Sequence, residues 1–351
     1  MRDLKDHPIP HRVKRSGDGR RLDEYLLDVV TKATPEGVAE AIAEGRFRWR
    51  GEDLPLGPDA LLVAGDTLMA DVPDMTPADP FLPVRTDPLP VLLQDPHLLV
   101  VDKPAGLLCY PLGPRKVAAR SIAERQLEAA GEPTELRPLH RIDRETSGVL
   151  MFARDIESDR VVKRAFQDRD VSKRYLAVVR GHLREPRLIE GRIGPDDGDI
   201  RIKMRVREDG QEARTEVVPL QHFGDDDWGD AGRGYTFVLA KPLTGRSHQI
   251  RLHLAHIGHP LVGDKLYIDG GRVFLRWWDG EYSAEDVNRL GLPRHALHAW
   301  TVGLRHPIYG TALSLFAPIP DDLRAFAHLH GGEPPSLSQA ISADPQIHPE
   351  P

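Results

Sequence analysis

Cysteine is nearly missing: among 351 residues there is one, Cys109. A lone thiol excludes an internal disulfide framework and a cysteine-cluster metal site, and it agrees with a reducing compartment. Long apolar runs are missing too. No stretch approaches the roughly 20 apolar residues that a membrane-spanning helix requires. The opening "MRDLKDHPIPHRVKRSGDGRR" carries basic residues with no apolar core behind them, so neither a bilayer helix nor a secretory signal is expected, and a soluble, cytoplasmic protein is. Net positive charge is the third shortage. The 47 Lys and Arg stand against 54 Asp and Glu, a balance of −7, which is the wrong sign for a surface that grips phosphates everywhere. Distribution matters more than the total. Acidic residues gather in "GPDDGD", "FGDDDWGD" and the C-terminal tail, while Arg137, Arg141, Arg144, Arg154, Lys163, Arg164, Arg169, Lys173 and Arg174 crowd one central segment. On a single face they would make a positive local field. Balanced by Asp155, Glu157, Asp159 and Asp168 they are solvated helix and loop positions, and charge alone favours this second reading.

The length suits one large domain plus a small one. After a basic leader over residues 1–18, Leu22, Tyr25, Leu26, Val29 and Val30 recur at helical spacing, and a second helix follows Thr34-Pro35, a cap and a first-turn proline. Strand-like pieces come next at Phe47 to Trp49 and Leu61 to Met69. Residues 74–88, "DMTPADPFLPVRTDP", are proline-rich without periodicity and read as a linker. Beyond it, "LPVLLQDPHLLVVDKPAGLLCYP" gives two strand-like runs, "SIAERQLEAAG" and "ESDRVVKRAFQD" give helices, and "KRYLAVVRGHL" is a strand with Tyr175, Ala177 and Val179 on one face. Strands recur at "EARTEVVPL", "YTFVLAKPL", "ALHAWTVGL" and "ALSLFAP", the last two joined by a hairpin-like "RHPIYGT". Strands outnumber helices and several adjoin directly. The expectation is therefore an α+β fold with a mixed, largely antiparallel sheet over residues 89–320. From Asp321 on, apolar residues are few and the chain reads as a disordered tail.

The stretch "RPLHRIDRETSGVLMFARD", Arg137 to Asp155, sets a polar loop hard against an apolar strand, which is where active sites tend to be built. On the residues alone, Asp143 between Arg141 and Arg144 is more often a structural ion pair than a nucleophile. Ser147 lacks the Gly-x-Ser-x-Gly elbow. In "LTGRSHQIRLHLAHIGHPLVGDKLY" four histidines, His248, His253, His256 and His259, invite a metal reading. Their spacing is not His-Glu-x-x-His and no acid accompanies them in the helix. Thr244-Gly245 instead reads as a turn into a helix, with Arg246 free to point at what lies beside it.

The conjunction of these pieces resembles a known family. "PLHRIDRETSGVLMFAR" is similar to the His-Arg-Leu-Asp-x-x-Thr-Ser-Gly signature of the RluA-type pseudouridine synthases. "LLVVDKPAGLLCYP" before it and "KRYLAVVRGHL", "ARTEV", "LTGRSHQIRLHLAHIGHPLVGDKLY" and "LHA" after it follow in that family's order over residues 90–318. Ile142 stands for the commoner Leu and Ser247 for the commoner Thr. Residues 19–73 resemble the small RNA-binding domain named after ribosomal protein four of the small subunit (S4-like), without its usual basic helix and Asn-Gly turn. The resemblance implies the pseudouridine synthase fold and isomerisation of uridine within ribosomal RNA or, second, transfer RNA. Asp143 then matches the catalytic aspartate, as nucleophile or charge stabiliser. Arg246 matches the arginine that pairs with it, and Tyr175 the tyrosine that stacks on uracil. With an unperturbed pKa of about 10, a tyrosine stacks more readily than it acts as a base. His140, Arg141, Arg144 and Lys173 are the candidates to hold RNA. A redox-neutral isomerisation needs no cofactor, no metal and no Gly-rich phosphate loop, and a monomer is the working expectation. The competing readings are a non-catalytic RNA-binding or assembly factor, and a metal-dependent hydrolase built on the histidines.

Overall fold

Apolar side chains at period two and at spacings of three and four decide where this chain extends and where it coils. A computed structural model describes residues 9–13, 15–29, 34–52, 54–70, 81–82, 87–111, 117–198, 200–225, 234–279 and 281–343. The chain begins with β1 (Ile9–Arg12), α1 (Leu22–Val29), α2 (Pro35–Ala43), β2 (Phe47–Trp49) and β3 (Thr67–Ala70). It continues through β4 (Val91–Gln94), β5 (Leu98–Lys103), α3 (Ala119–Ala129), β6 (Arg137–Pro138), β7 (Ser147–Ala153), α4 (Ile156–Asp168) and β8 (Ser172–Arg180). Then come β9 (Arg187–Pro195), β10 (Met204–Val206), β11 (Gln211–Gly224), β12 (Gly234–Pro242), α5 (Gln249–His256), α6 (Arg272–Trp278) and α7 (Ala284–Leu290). The last elements are β13 (Leu297–Arg305), β14 (Ala312–Phe316), α8 (Asp321–Leu329) and α9 (Leu337–Ala343).

The chain divides into two units, a small one of residues 1–83 with 111–116 and 273–283, and a large one of the remainder. In the small unit an antiparallel sheet of order β1-β3-β2 is accompanied by α1 and α2 around buried Leu22, Tyr25, Leu26, Phe47 and Leu68. Helix α2 starts where the cap was expected: the Thr34 hydroxyl accepts a hydrogen bond of 3.1 Å from the Gly37 N–H, and Pro35 follows it. The leader expected over residues 1–18 is corrected in part, because Ile9–Arg12 pairs with β3 and belongs to the small sheet. Residues 1–8, and most of the linker expected at 74–88, lie outside the described residues.

In the large unit eleven strands form one sheet of order β10-β9-β11-β12-β8-β13-β7-β5-β4, with β14 beside β13 and β6 beside β7. Pairing is antiparallel except between β7 and β13, so the α+β expectation of a mixed, largely antiparallel sheet holds. Strand alternation sends Leu176 and Val178 of β8 to one face, with α8 and α9, and Ala177 and Val179 to the other, with α5. Each large aliphatic side chain buried this way contributes about 1.5–3 kcal/mol.

A disordered tail from Asp321 is the second correction. Residues 321–329 coil as α8, whose Leu323, Phe326 and Ala327 are buried against Phe237 and Trp300. Those three apolar residues at helical spacing were the signal, hidden in a segment whose average polarity is high. Residues 344–351 lie outside the described residues.

Strand β7 is buried along its whole length and enters the sheet directly after the polar loop. Its second residue, Gly148, has φ of 108°, and a Cβ there would sit 2.2 Å from the Ala299 carbonyl oxygen of β13. Only glycine permits this approach of the two strands, and the loop before it inherits a fixed exit point.

Candidate active site

Loop 140–146 is held from several directions, which answers why so many polar groups crowd against a core strand. The Cys109 thiol lies 3.2 Å from the Ile142 carbonyl and 3.3 Å from the Ile142 N–H. Lys103, fully buried at the end of β5, donates from Nζ to the carbonyls of Pro104, Leu107 and Arg144 at 2.9, 2.8 and 3.0 Å. Burial, against which the Asp143 charge counts for less, pushes this amine down to about 8. Glu145 accepts from Lys265 Nζ at 3.0 Å and from the His295 N–H at 3.2 Å, and the Thr146 hydroxyl meets His295 Nε2 at 2.8 Å. Buried polar groups held this way specify one arrangement, because each lost partner costs about 1–3 kcal/mol.

Asp143, at the apex, lines a cleft of about 790 Å³. Its Oδ2 accepts a hydrogen bond of 2.9 Å from Arg251 of α5. The same guanidinium donates from Nε and from its other terminal nitrogen to the two oxygens of Asp264, at 2.7 and 2.9 Å. Asp264 is completely buried and also accepts from the Leu266 and Tyr267 N–H groups at 3.0 and 3.3 Å. The arginine is thus clamped by one carboxylate while it pairs with the other. Burial opposes the charge on Asp143, but the surrounding groups, the Arg251 guanidinium foremost, together outweigh it and hold the acid well below the usual carboxylate range.

The expected partner of Asp143 was Arg246, and this is corrected. Arg246 lines the cleft, but its Nε donates to the Glu212 carbonyl at 3.1 Å. Arg251 was the residue missed. The signal lay in "HQIRLHLAH": an arginine among Ile250, Leu252 and Leu254 on a short helix is carried into the core, and a buried arginine must be paired.

Tyr175 of β8 lines the cleft with Asp143. Burial, then the nearby Asp143 charge, push its hydroxyl well above the ordinary tyrosine value, so it keeps its proton at neutral pH. This suits stacking over base catalysis. Lys173 and the exposed Arg141 stand at the rim with Arg169 and Arg246. Arg144 does not line the cleft, and its guanidinium lies 3.5 Å from Glu145. His140 reaches the cleft as a neutral ring: burial, then Lys173, push it down to about 4, its Nε2 accepts the Met151 N–H at 3.2 Å, and it stacks on Phe166. It is not a cation for phosphate. The crowded basic segment therefore splits. Arg141, Arg169 and Lys173 reach the cleft, whereas Arg137, Arg154, Lys163 and Arg164 pair with Glu135, Glu132, Asp159 and Asp168. The local field at the cleft is positive although the whole chain is acidic.

The four histidines of the second motif do not converge. His248 Nδ1 meets the Tyr267 hydroxyl, His253 Nδ1 the Thr215 hydroxyl and His259 Nδ1 the Arg180 carbonyl. Among the described residues no group of three or more His, Cys, Asp or Glu side chains is arranged to hold a metal ion, and no helix is long and apolar enough to cross a membrane.

Burial also makes this centre sensitive to acid. His140, His248 and His298 are pushed down to about 4 and His295 to about 3. In the unfolded chain all four take up a proton near pH 6.5. Their neutral burial therefore stabilises the fold fully above that pH and progressively less as pH falls toward 4. Asp143, Glu145, Asp264 and Asp322, all lowered in the fold, keep their contribution above about pH 4 and lose it below. The urea midpoint is expected to fall between pH 7 and 5, above the range of these four acids, with Asp102, which burial raises to about 6, offsetting one of the four histidines; a flat profile over that range contradicts the assignment.

A carboxylate held ionised in a cleft with a cationic rim suits chemistry on a group carried by a polyanion such as a nucleic-acid chain. Comparison with known proteins narrows this. A family model described as RNA pseudouridylate synthase matches residues 97–256. Ribosomal large subunit pseudouridine synthase D of Xanthomonas campestris is 33% identical over 333 residues, 92% of this chain and 94% of its own. Its namesake in Nitrosomonas europaea is 36% identical over 239 residues, 68% of this chain and 64% of its own. Among solved structures, Human RNA Pseudouridylate Synthase Domain Containing 1 matches with a TM-score of 0.58 at 26% identity, over 77% of this chain and 99% of its own. The chain belongs to the RNA pseudouridylate synthase family, and it is an isomerase that converts uridine to pseudouridine in RNA.

Proposed function

We propose that this isomerase acts on a uridine of structured ribosomal RNA of the large subunit, with Asp143 as the reacting carboxylate. The ion pair of Asp143 with Arg251 beneath a basic rim carries the reading. Relatives named for large-subunit ribosomal RNA support the substrate. In the reaction the bond from ribose C1′ to N1 breaks, the uracil turns over, and C1′ joins C5; the C5 proton is lost and N1 gains one. Asp143 serves either as nucleophile or as counter-charge to the electron-poor sugar. Arg251 keeps it ionised without covering it, because among the described residues only Oδ2 of the carboxylate accepts a side-chain hydrogen bond. Tyr175 stacks on the ring, which must leave its helix or sit in an open loop to reach the cleft. Arg141 and Lys173 hold flanking phosphates. The small N-terminal unit adds RNA-binding surface, and the enzyme works as a monomer in the cytoplasm.

The test maps pseudouridine by carbodiimide labelling and primer extension on ribosomal and transfer RNA from cells with and without the gene, rescued by wild type or Asp143→Ala. A large-subunit site lost on deletion and restored only by wild type is the expected result. A site restored by both, or one found only in transfer RNA, overturns the proposal. A purified wild-type protein that binds ribosomal RNA but modifies none of it favours an assembly factor.

A further inference from the structure

Two non-glycine residues of the cleft have a left-handed backbone: Arg169, with φ of 65°, where the conformation ends α4 in an ordinary C-cap, and His248, with φ of 56° and ψ of 17°, at the start of α5. Non-glycine residues in this region are uncommon, and such strain gathers at functional sites. The His248 carbonyl accepts the Leu252 N–H of the helix that follows at 2.9 Å, but its side chain makes no cap bond to that helix and is left for other partners.

The ring is instead fixed by Tyr267. The Tyr267 hydroxyl accepts the Met204 N–H at 3.0 Å, and it lies 2.9 Å from His248 Nδ1. A phenol has one proton to give. With the Met204 N–H already donated to the oxygen, the arrangement that gives this proton a partner directs it to Nδ1, which is then unprotonated. Burial pushes the Tyr267 hydroxyl well above its ordinary value, so the proton stays on it. Burial, then the Arg251 charge, push His248 down to about 4, so the ring is neutral. A neutral imidazole without a proton on Nδ1 carries it on Nε2. The ring lines the same cleft as Asp143, Tyr175 and Arg251, and no hydrogen-bond partner of Nε2 is found among the described residues.

We infer that His248 is a substrate-contacting residue whose Nε2–H donates to a carbonyl oxygen of the bound uracil, and that Tyr267 is the positioning residue that sets this tautomer. This rests on the uridine reading of the cleft. A neutral, partly dehydrated donor suits a neutral carbonyl, whereas phosphates are served by Arg141 and Lys173 at the rim. Uracil carries two carbonyl oxygens. A ring that is detached from its sugar and turned over needs a fixed partner that holds it without offering a competing charge.

The experiment measures tritium release from an unmodified large-subunit ribosomal RNA transcript labelled at uracil C5. It compares full-length wild type with His248→Phe, His248→Gln, Tyr267→Phe and the double variant His248→Phe/Tyr267→Phe. His248→Phe keeps a ring and loses the donor, and kcat/KM is expected to fall about tenfold or more. His248→Gln restores an N–H and recovers part of the loss. Tyr267→Phe keeps the aromatic face beneath Arg251, 5.3 Å from the guanidinium, and lowers activity only while His248 is present, so the double variant is no worse than His248→Phe. Nitrogen-15 NMR of labelled histidine reads the tautomer without any turnover, and Nδ1 unprotonated in wild type but mixed in Tyr267→Phe is expected. Additive losses in an active enzyme, or a protonated Nδ1 in wild type, overturn the inference. A silent wild type instead overturns the substrate reading on which it rests.

Discussion

Asp143→Asn yields a folded protein that binds RNA and turns over less than about a thousandth as much, the scale on which removal of a reacting group acts. The amide has the shape of the carboxylate, and its oxygen can still accept the 2.9 Å bond from Arg251. Arg251 retains its two bonds to Asp264, so no buried charge is stranded and the urea midpoint moves little. What disappears is the negative charge, and with it both chemical options, attack on the substrate and stabilisation of a cationic sugar. Tritium release and a binding isotherm on the same RNA separate the two effects. Turnover within tenfold of wild type removes Asp143 from the reaction. Loss of binding in parallel makes it a structural residue.

The largest expected effect on stability is at its partner. Arg251→Leu leaves Asp264, fully buried, and Asp143 without their shared counter-charge, and breaking a buried pair from one side costs about 3–5 kcal/mol. A domain has only about 5–15 kcal/mol in total, so the variant is expected to be marginal in urea unfolding at pH 7. Arg251→Lys keeps a charge but not the fork that reaches two carboxylates at once, and it should be intermediate in stability and low in turnover. The double variant Arg251→Leu/Asp264→Leu removes the stranded acid as well and is expected to regain much of the stability with none of the activity. Arg246→Ala, whose guanidinium meets one carbonyl at the edge of the cleft, should leave the midpoint unchanged. An Arg251→Leu protein as stable as wild type shows that the ion pair is not what holds the site.

How much of this was legible beforehand depends on whether the information was local. Strand β8 and helices α2 and α4 could be read because their apolar periodicity is their own, and the Thr34 cap because it lies three residues from its partner. That Asp143 and Tyr175 share one cleft agrees with the short motifs that surround them. The partner of Asp143 could not be read by proximity in the motif, since Arg246 and Arg251 share it. Deciding between them required knowing which way α5 turns, and that is set by the burial of Ile250 and Leu254 against β8 and β12. Lys103 was visible only as a charge ending an apolar strand. Helix α8 was lost because composition averaged over a polar tail conceals three well-spaced apolar residues.

The clamp on Asp143 joins residues 108 apart in the chain, the Lys265 bond to Glu145 spans 120, and the His295 bond to Thr146 spans 149. During synthesis at about 5–20 residues per second, the aspartate emerges well before the arginine that keeps it ionised. The ion pair at the cleft consequently cannot form until α5 has been made. Contacts so distant in sequence form slowly, and a nascent chain stopped before α5 carries the signature loop without the chemistry. Competence to modify RNA therefore waits for the segments that supply Arg251, Lys265 and His295 to reach the loop.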